Sequence, residues 1–223
     1  DHSGMLPLLL DVYPMAKVVT NEVCKGLLVE MHNLYEMDDR FIIVGQDDTL
    51  DLGGKTLKFY LAPWVHWPDT MFAEVVEDKV LFTSDFLGTH YASETLFQND
   101  ELPDYLEAAK RYYSAIMMPF RGSVREYLEL VKTIDPKIIA PSHGPVLQMP
   151  AKIVDLYADW ASETPKNKVV VAYVSMHGST KQMANFLVDA LIQRGIPVNQ
   201  YNLLDTDSGV LGSAIVDAAT IIL

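Results

Sequence analysis

Residues 66–88 read HWPDTMFAEVVEDKVLFTSDFLG, two apolar stretches with a histidine before the first and an aspartate after the second. Residues 71–76 and 79–83 are rich in aromatic and β-branched side chains and flank an acidic pair, a pattern that predicts a β-hairpin. His66 and Asp85 then lie in loops at strand ends, where a rigid scaffold can aim side chains at a common point.

Further elements surround this hairpin. Before it, the sequence predicts a strand at 16–20, a helix at 22–31 and a β-meander of three strands at 41–44, 49–52 and 55–61. After it, the sequence predicts helices at 104–118, 123–133 and 151–162, with a buried strand at 138–140.

The pattern changes after the polar, proline-containing stretch 163–168, which we interpret as a linker. Beyond it, the sequence predicts strands at 169–174, 198–203 and 221–223 that alternate with helices at 180–194 and 210–218. This βαβαβ order is typical of a doubly wound parallel sheet. We therefore expect two domains, one over residues 1–164 and one over residues 165–223.

The composition excludes several classes of partner and of metal site. The 223 residues carry a formal net charge of -13, which would repel nucleic acids and anionic membranes, and we exclude both as partners. The single cysteine, Cys24, excludes an internal disulfide, a thiolate zinc cluster and a rubredoxin-type iron centre within these residues, and we expect a buried apolar role for it. No apolar run approaches the roughly 20 residues of a membrane span, which favours a soluble, cytoplasmic protein.

Four segments place histidine or aspartate in loops next to apolar strands: residues 1–4 (DHSG), 66–69 (HWPD), 84–88 (SDFLG) and 142–145 (SHGP). Imidazole and carboxylate ligands without thiolate suit iron, zinc or manganese, and one aspartate can bridge two ions with its two oxygens. The sequence thus predicts a metal centre built from loops that are far apart along the chain.

The order of these motifs resembles the metallo-β-lactamase-like domain of flavodiiron proteins. Residues 1–4 match the end of that family's first ligand segment, H-x-E-x-D-H, and residues 219–223 (ATIIL) are an apolar run typical of a strand with nothing after it, so we expect both ends of the chain to be cut. The resemblance implies an α/β fold: a metallo-β-lactamase-like αββα sandwich without its N-terminal part, followed by the first half of a flavodoxin-like doubly wound parallel sheet.

The resemblance also implies a ligand set for two iron ions. His66 would bind the first iron, together with a histidine and a glutamate that precede residue 1. Asp1 and His143 would bind the second iron, and Asp85 would bridge the two. Since the preceding ligands are absent from these residues, the choice of iron over zinc cannot be read from the ligand set.

Three other histidines have less defined roles. His2 matches a family position that in some members binds iron and in others turns away from it. The resemblance makes His90 a residue that orients a ligand or moves a proton at the catalytic site, and the alternative is a hydrogen-bonded loop histidine. We expect His32, at the end of a predicted helix, to be exposed or to cap that helix.

A second site is predicted in residues 175–180 (SMHGST), between an apolar strand and a helix. Unpaired N–H groups and the dipole of a helix N-terminus favour an anion such as a phosphate, although a serine or threonine there can also be a simple N-cap. The spacing resembles the FMN-phosphate loop of flavodoxin-like domains. The residues implied are Ser175, the Met176 backbone, His177, Gly178, Ser179 and Thr180.

The family resemblance implies an oxidoreductase that reduces dioxygen to water or nitric oxide to nitrous oxide, with electrons relayed through FMN. It further implies a head-to-tail homodimer, or a dimer of dimers, and an electron donor such as rubredoxin or a reduced deazaflavin. Two other functions remain open at this point: a zinc-dependent hydrolase on the same fold, and a non-catalytic flavodoxin-like electron carrier.

Overall fold

The computed structural model describes residues 2–98, 103–164 and 166–223. The α-helices are α1 (Leu6–Val12), α2 (Glu22–His32), α3 (Pro103–Tyr112), α4 (Arg121–Ile134), α5 (Ala151–Trp160), α6 (Ser179–Ile192) and α7 (Ser208–Val216). The strands are β1 (Val18–Thr20), β2 (Phe41–Ile43), β3 (Thr49–Asp51), β4 (Thr56–Leu61), β5 (Met71–Val75), β6 (Val80–Phe82), β7 (Ile138–Ala140), β8 (Val169–Tyr173), β9 (Val198–Asn202) and β10 (Thr220–Ile222).

The larger sheet has five strands in the order β3-β4-β5-β6-β7. Strands β5 and β6 pair antiparallel, with Glu74 opposite Leu81, so the hairpin predicted from residues 66–88 is confirmed. Strand β7 adds in parallel to β6, with Leu81 opposite Ile139. This parallel pairing brings the loops that follow β6 and β7 to the same end of the sheet.

The predicted β-meander is wrong in one strand. Strand β2 does not join β3 and β4 but pairs in parallel with β1, with Val18 opposite Phe41, in a separate two-stranded sheet. The turn after β2 is closed by the Asp48 carboxylate, which accepts from the Gly45 N–H at 2.6 Å. Such a turn marks the end of a strand, but it does not identify the distant partner with which the strand pairs.

Two helical segments also differ from the sequence prediction. Helix α1 was not predicted from the sequence. Most of its apolar side chains are exposed, and Leu10 is its single fully buried residue. The predicted helix at 104–118 ends at Tyr112 and continues as a π-helical turn, Tyr113–Met117. Pro119 lacks the N–H that a continuing α-helix needs, so a 3-10 turn leads from there into α4.

The main hydrophobic core lies between the larger sheet and the helices α3, α4 and α5. Phe72, Leu81 and Ile139 from the sheet are completely buried in it. Aromatic rings from the helices fill the remaining space, with the Tyr113 and Tyr157 centroids 5.1 Å apart. This core holds the loops after β6 and β7 in place.

A third sheet has three parallel strands in the order β10-β8-β9. Helix α6 connects β8 to β9 and α7 connects β9 to β10, so the predicted βαβαβ order is confirmed. The apolar strand β8 is central and almost wholly buried, as expected for a parallel sheet.

Helix α7 packs closely against α3 and the π-helical turn. A Cβ atom on Gly212 would lie 2.7 Å from the Ser114 hydroxyl, so a larger residue there would displace the Ser114 side chain. Ion pairs join Lys110 to Asp217 and Arg111 to Asp207, at opposite ends of α7. Val216 of α7 is 8% exposed and belongs to the main hydrophobic core.

No helix among the described residues is long and apolar enough to cross a membrane.

Candidate metal centre

Asp85 lies in the tight loop after β6. The Thr83 hydroxyl donates to the Phe86 carbonyl at 2.7 Å, and the Gly88 N–H donates to the Asp85 carbonyl at 3.2 Å. These bonds fold the loop back on itself and leave Asp85 only 3% exposed. A buried carboxylate requires polar or charged partners, because burial without them costs several kcal/mol.

Three imidazoles supply those partners. The His2 Nε2 lies 3.0 Å from Asp85 Oδ1, and the His143 Nε2 lies 3.4 Å from the same oxygen. The His66 Nε2 lies 3.0 Å from the other oxygen, Oδ2. The two carboxylate oxygens therefore face different histidines, which come from three loops far apart along the chain.

This arrangement fits a metal site. Within residues 2–98, 103–164 and 166–223, the single group of potential metal ligands is formed by His2, Asp85 and His143, whose ligand atoms all lie within 4.8 Å of one another. His66 adds a fourth ligand atom next to the second carboxylate oxygen. Nitrogen and oxygen donors without sulfur suit iron, zinc or manganese. A carboxylate whose two oxygens each lie next to a histidine nitrogen is suited to bridge two metal ions.

Asp1, the remaining predicted ligand, lies outside the described residues. The other four predicted ligands, His2, His66, Asp85 and His143, lie together as expected from the motifs.

His90 lies at the outer edge of this cluster. It is exposed, and its ring makes edge contacts with Tyr112, at 4.8 Å between centroids, and with His143, at 5.2 Å. Its contact with His143 would allow His90 to orient that ligand candidate, which is one of the roles predicted for it. Within the described residues, its ring contacts two neighbours that belong to the centre.

Tyr112 was not predicted from the sequence. Its buried hydroxyl donates to the Asp85 carbonyl at 2.9 Å. Burial raises the pKa of Tyr112 well above its usual range, and the negative charge of Asp85 adds to the shift, so the hydroxyl remains a donor. A tyrosine within an aromatic-rich helix carries no sequence signal for this role.

The loop that carries Asp85 and the loop that carries His143 are in close contact at Gly144. The Thr89 N–H donates to the His143 carbonyl at 3.2 Å. Gly144 has φ +82°, and a Cβ atom there would lie 2.6 Å from Thr89 Cγ2 and 2.7 Å from the Thr89 carbonyl. Only glycine fits both the backbone conformation and the space.

The predicted phosphate loop lies between β8 and α6. Gly178, with φ 86°, is the N-cap of α6, and no side chain caps this helix. Ser179 and Thr180 therefore occupy its first turn, which does not agree with a simple N-cap role for either side chain. The Ser175 hydroxyl accepts from the Gly178 N–H at 3.1 Å, and the side chains of Met176 and His177 are exposed.

Comparison with known proteins gives concordant results. A family model described as ODP family beta lactamase matches residues 1–144. A flavo-diiron protein of Clostridium acetobutylicum is 37% identical over 86% of this chain and 49% of its own, and a coenzyme F420H2 oxidase of Methanothermobacter marburgensis is 36% identical over 100% of this chain and 56% of its own. Other relatives include a protein named nitric oxide reductase.

Among solved structures, the rubredoxin oxygen:oxidoreductase of Desulfovibrio gigas superposes with a TM-score of 0.91 at 28% identity, covering 99% of this chain and 56% of that one. The predicted fold class is thereby confirmed. The chain spans about half the length of the relatives that it matches. It carries the metallo-β-lactamase-like ODP domain and belongs to the flavodiiron protein family.

Proposed function

We propose that these residues are part of an oxidoreductase that reduces dioxygen to water, nitric oxide to nitrous oxide, or both, at a non-haem diiron site supplied with electrons through FMN. The observation that carries this proposal is the Asp85 carboxylate, whose Oδ1 faces His2 and His143 and whose Oδ2 faces His66. The names of relatives, a coenzyme F420H2 oxidase, a rubredoxin oxygen:oxidoreductase and a nitric oxide reductase, support the same reaction class.

We assign the iron ligands as follows. By the family resemblance, His66 would bind the first iron, whereas His143, Asp1 and His2 would bind the second. The Asp85 carboxylate would be shared between the two ions. When bound, the irons would supply the site where the diatomic substrate is held and reduced.

The surrounding residues keep these ligands in place. The Tyr112 hydroxyl holds the backbone of Asp85 and, because it remains protonated, acts as a constant donor. We assign to His90 the role of orienting His143 through their ring contact or of carrying a proton at its exposed edge.

We propose that the FMN phosphate binds at the N-terminus of α6, beside Ser175, Gly178, Ser179 and Thr180, where no side chain caps the first turn of the helix. We further propose that the chain divides into a diiron domain, residues 1–164, and an FMN-binding domain, residues 165–223. In a head-to-tail homodimer, or a dimer of dimers, the flavin of one copy would serve the iron of another. Rubredoxin or a reduced deazaflavin would be the electron donor.

The content of iron, zinc and FMN in the intact protein, purified without air, tests this function. We expect about two irons and one FMN per chain, as a dinuclear flavoprotein requires. Two zinc ions without flavin would instead identify a hydrolase, and flavin without metal would identify an electron carrier. Either result would overturn the proposed reaction.

The oxidant can be identified by consumption assays. With a chemically reduced donor, the rates at which the intact protein removes dioxygen and nitric oxide are measured with the two gas electrodes. Removal of at least one gas is expected, and an iron- and flavin-loaded protein that consumes neither would refute the reductase activity.

The phosphate loop gives a separate prediction. Replacement of both Ser179 and Thr180 by Ala is expected to weaken FMN binding by roughly a hundredfold or more, since two hydroxyl hydrogen bonds to a charged phosphate, each worth about 1.5 kcal/mol or more, are lost. FMN affinity is measured by fluorescence quenching, and iron content should not change. Ser208→Ala is the matched control, because Ser208 is the first residue of another helix, α7, and is exposed. Unchanged flavin affinity in the double variant would remove the loop from the FMN site.

A further inference from the structure

The loop that carries His2 is tied to α2 by one side-chain contact. The Ser3 hydroxyl lies 2.9 Å from Nε2 of His32, the last residue of α2. Ser3 and His32 are both half-buried. The sequence predicted His32 to be exposed or capping, whereas it shares a hydrogen bond with the residue that follows a metal-ligand candidate.

The segment that follows Ser3 is packed on one side only. The Ser3 carbonyl accepts from the Leu6 N–H at 2.9 Å and so begins α1, which buries Leu10 but leaves Leu8 and Leu9 about half exposed. A Cβ atom on Gly4 would meet nothing within 4 Å. There is thus space beside Gly4 into which the loop could shift.

Helix α2, by contrast, is well anchored. The carboxamide of its N-cap residue, Asn21, accepts from the Cys24 N–H at 2.9 Å and donates to the Asp69 carbonyl at 2.8 Å. Leu28 is buried beneath the helix, and Asn33 closes its C-terminus in the left-handed conformation. The end of α2 is thus a fixed point to which the loop that carries His2 is attached through Ser3.

The position of His2 depends on such an attachment. Its side chain is 45% exposed, yet its Nε2 lies 3.0 Å from Asp85 Oδ1, and its ring lies 4.9 Å from that of His143. A small rotation of the loop would carry the imidazole into solvent without disturbing the core.

We propose that His32 is a positioning residue, which through Ser3 holds the His2 imidazole toward Asp85 and so determines whether His2 serves as a ligand of the second metal ion. The inference rests on the metal centre of the proposed function. The side-chain contact of His32 is with the Ser3 hydroxyl, so His32 would act through the loop that this residue belongs to.

Cobalt binding to the metal-free intact protein tests this role, because Co²⁺ reports nitrogen ligation in its visible spectrum whatever the native metal is. Ser3→Ala and His32→Phe remove the hydrogen bond and are expected to weaken binding of one of two Co²⁺ ions roughly three- to tenfold, the factor that corresponds to one lost hydrogen bond. Binding of the ion next to His66 should be unchanged. His32→Gln places an amide N–H at a similar reach and should restore the affinity.

Two controls separate positioning from a general loss of structure. Ser93→Ala, at an exposed serine that pairs with Thr95, should leave both affinities unchanged. In a His2→Ala background, Ser3→Ala should have no further effect, because its action passes through His2.

Equal cobalt affinity in Ser3→Ala and the unmodified protein would overturn the positioning role, as would an undiminished effect of Ser3→Ala in the His2→Ala background. An unmodified protein that binds no second Co²⁺ would instead overturn the dinuclear centre itself, and with it the role of His32. If the variants change Co²⁺ affinity as expected but the protein reduces neither dioxygen nor nitric oxide, the positioning role of His32 stands and the proposed reaction alone is rejected.

Discussion

Asp85→Asn is expected to empty most of the metal centre and abolish oxidoreductase activity in the intact protein. Asparagine has the same shape, but it carries no charge and presents an NH2 group to a histidine where the aspartate presents an oxygen. Loss of partners outside the ligand shell already costs about 10- to 100-fold in metal affinity, so loss of the shared carboxylate should cost more. Metal content after dialysis and gas consumption measure the two effects.

The same variant should remain folded and retain FMN, since Asp85 lies in a loop and its replacement has the same volume. Asp78→Asn is the matched control: Asp78 is exposed in the turn that joins β5 and β6, at the far end of the same hairpin from Asp85. Full metal content or retained activity in Asp85→Asn would contradict the bridging role.

Gly144→Ala is expected to destabilise the protein by about 2–5 kcal/mol. Part of this cost comes from a non-glycine residue at φ +82°, and part from overpacking of the new methyl group against Thr89, 2.6 Å away. The midpoint of thermal unfolding of the domain that carries Gly144 should fall by roughly 5–15 °C. Metal content should fall as well, because the displaced loop carries His143.

Gly122→Ala provides the control with the opposite expectation. Gly122 lies in α4, and a Cβ atom there would meet nothing within 4 Å. Since alanine favours a helix, this variant should be as stable as the unmodified protein or slightly more so. If Gly144→Ala unfolds at the same temperature as Gly122→Ala and keeps its metal, the close approach of the two loops is not what holds the centre.

The sequence predicted the elements whose signals are local. The hairpin β5–β6 and the alternation from β8 to β10 follow from apolar periodicity and turn residues within each segment. The pairing of β2 with β1 and the exposed helix α1 did not follow, because the first depends on a distant partner and the second is a short, almost uniformly apolar segment without a helical period.

The same distinction applies to the metal centre. The ligand candidates were predictable because each stands in a short loop motif next to a strand. Their geometry was not, since His2 and Asp85 are 83 positions apart and only the sheet brings them within 3.0 Å. Tyr112 and His32 act through hydrogen bonds to a carbonyl and a hydroxyl, contacts that leave no pattern in the sequence.

The packing of α7 on α3 has a practical consequence for anyone who expresses parts of this protein. A truncated version that stops at residue 164 would remove Val216 from the main hydrophobic core and leave Lys110 and Arg111 without their carboxylate partners. The surface exposed by the truncation would contain an apolar cavity beside unpaired positive charges, and an exposed apolar surface favours aggregation. A soluble version of the first 164 residues would therefore need new side chains on the surface of α3 that α7 now covers.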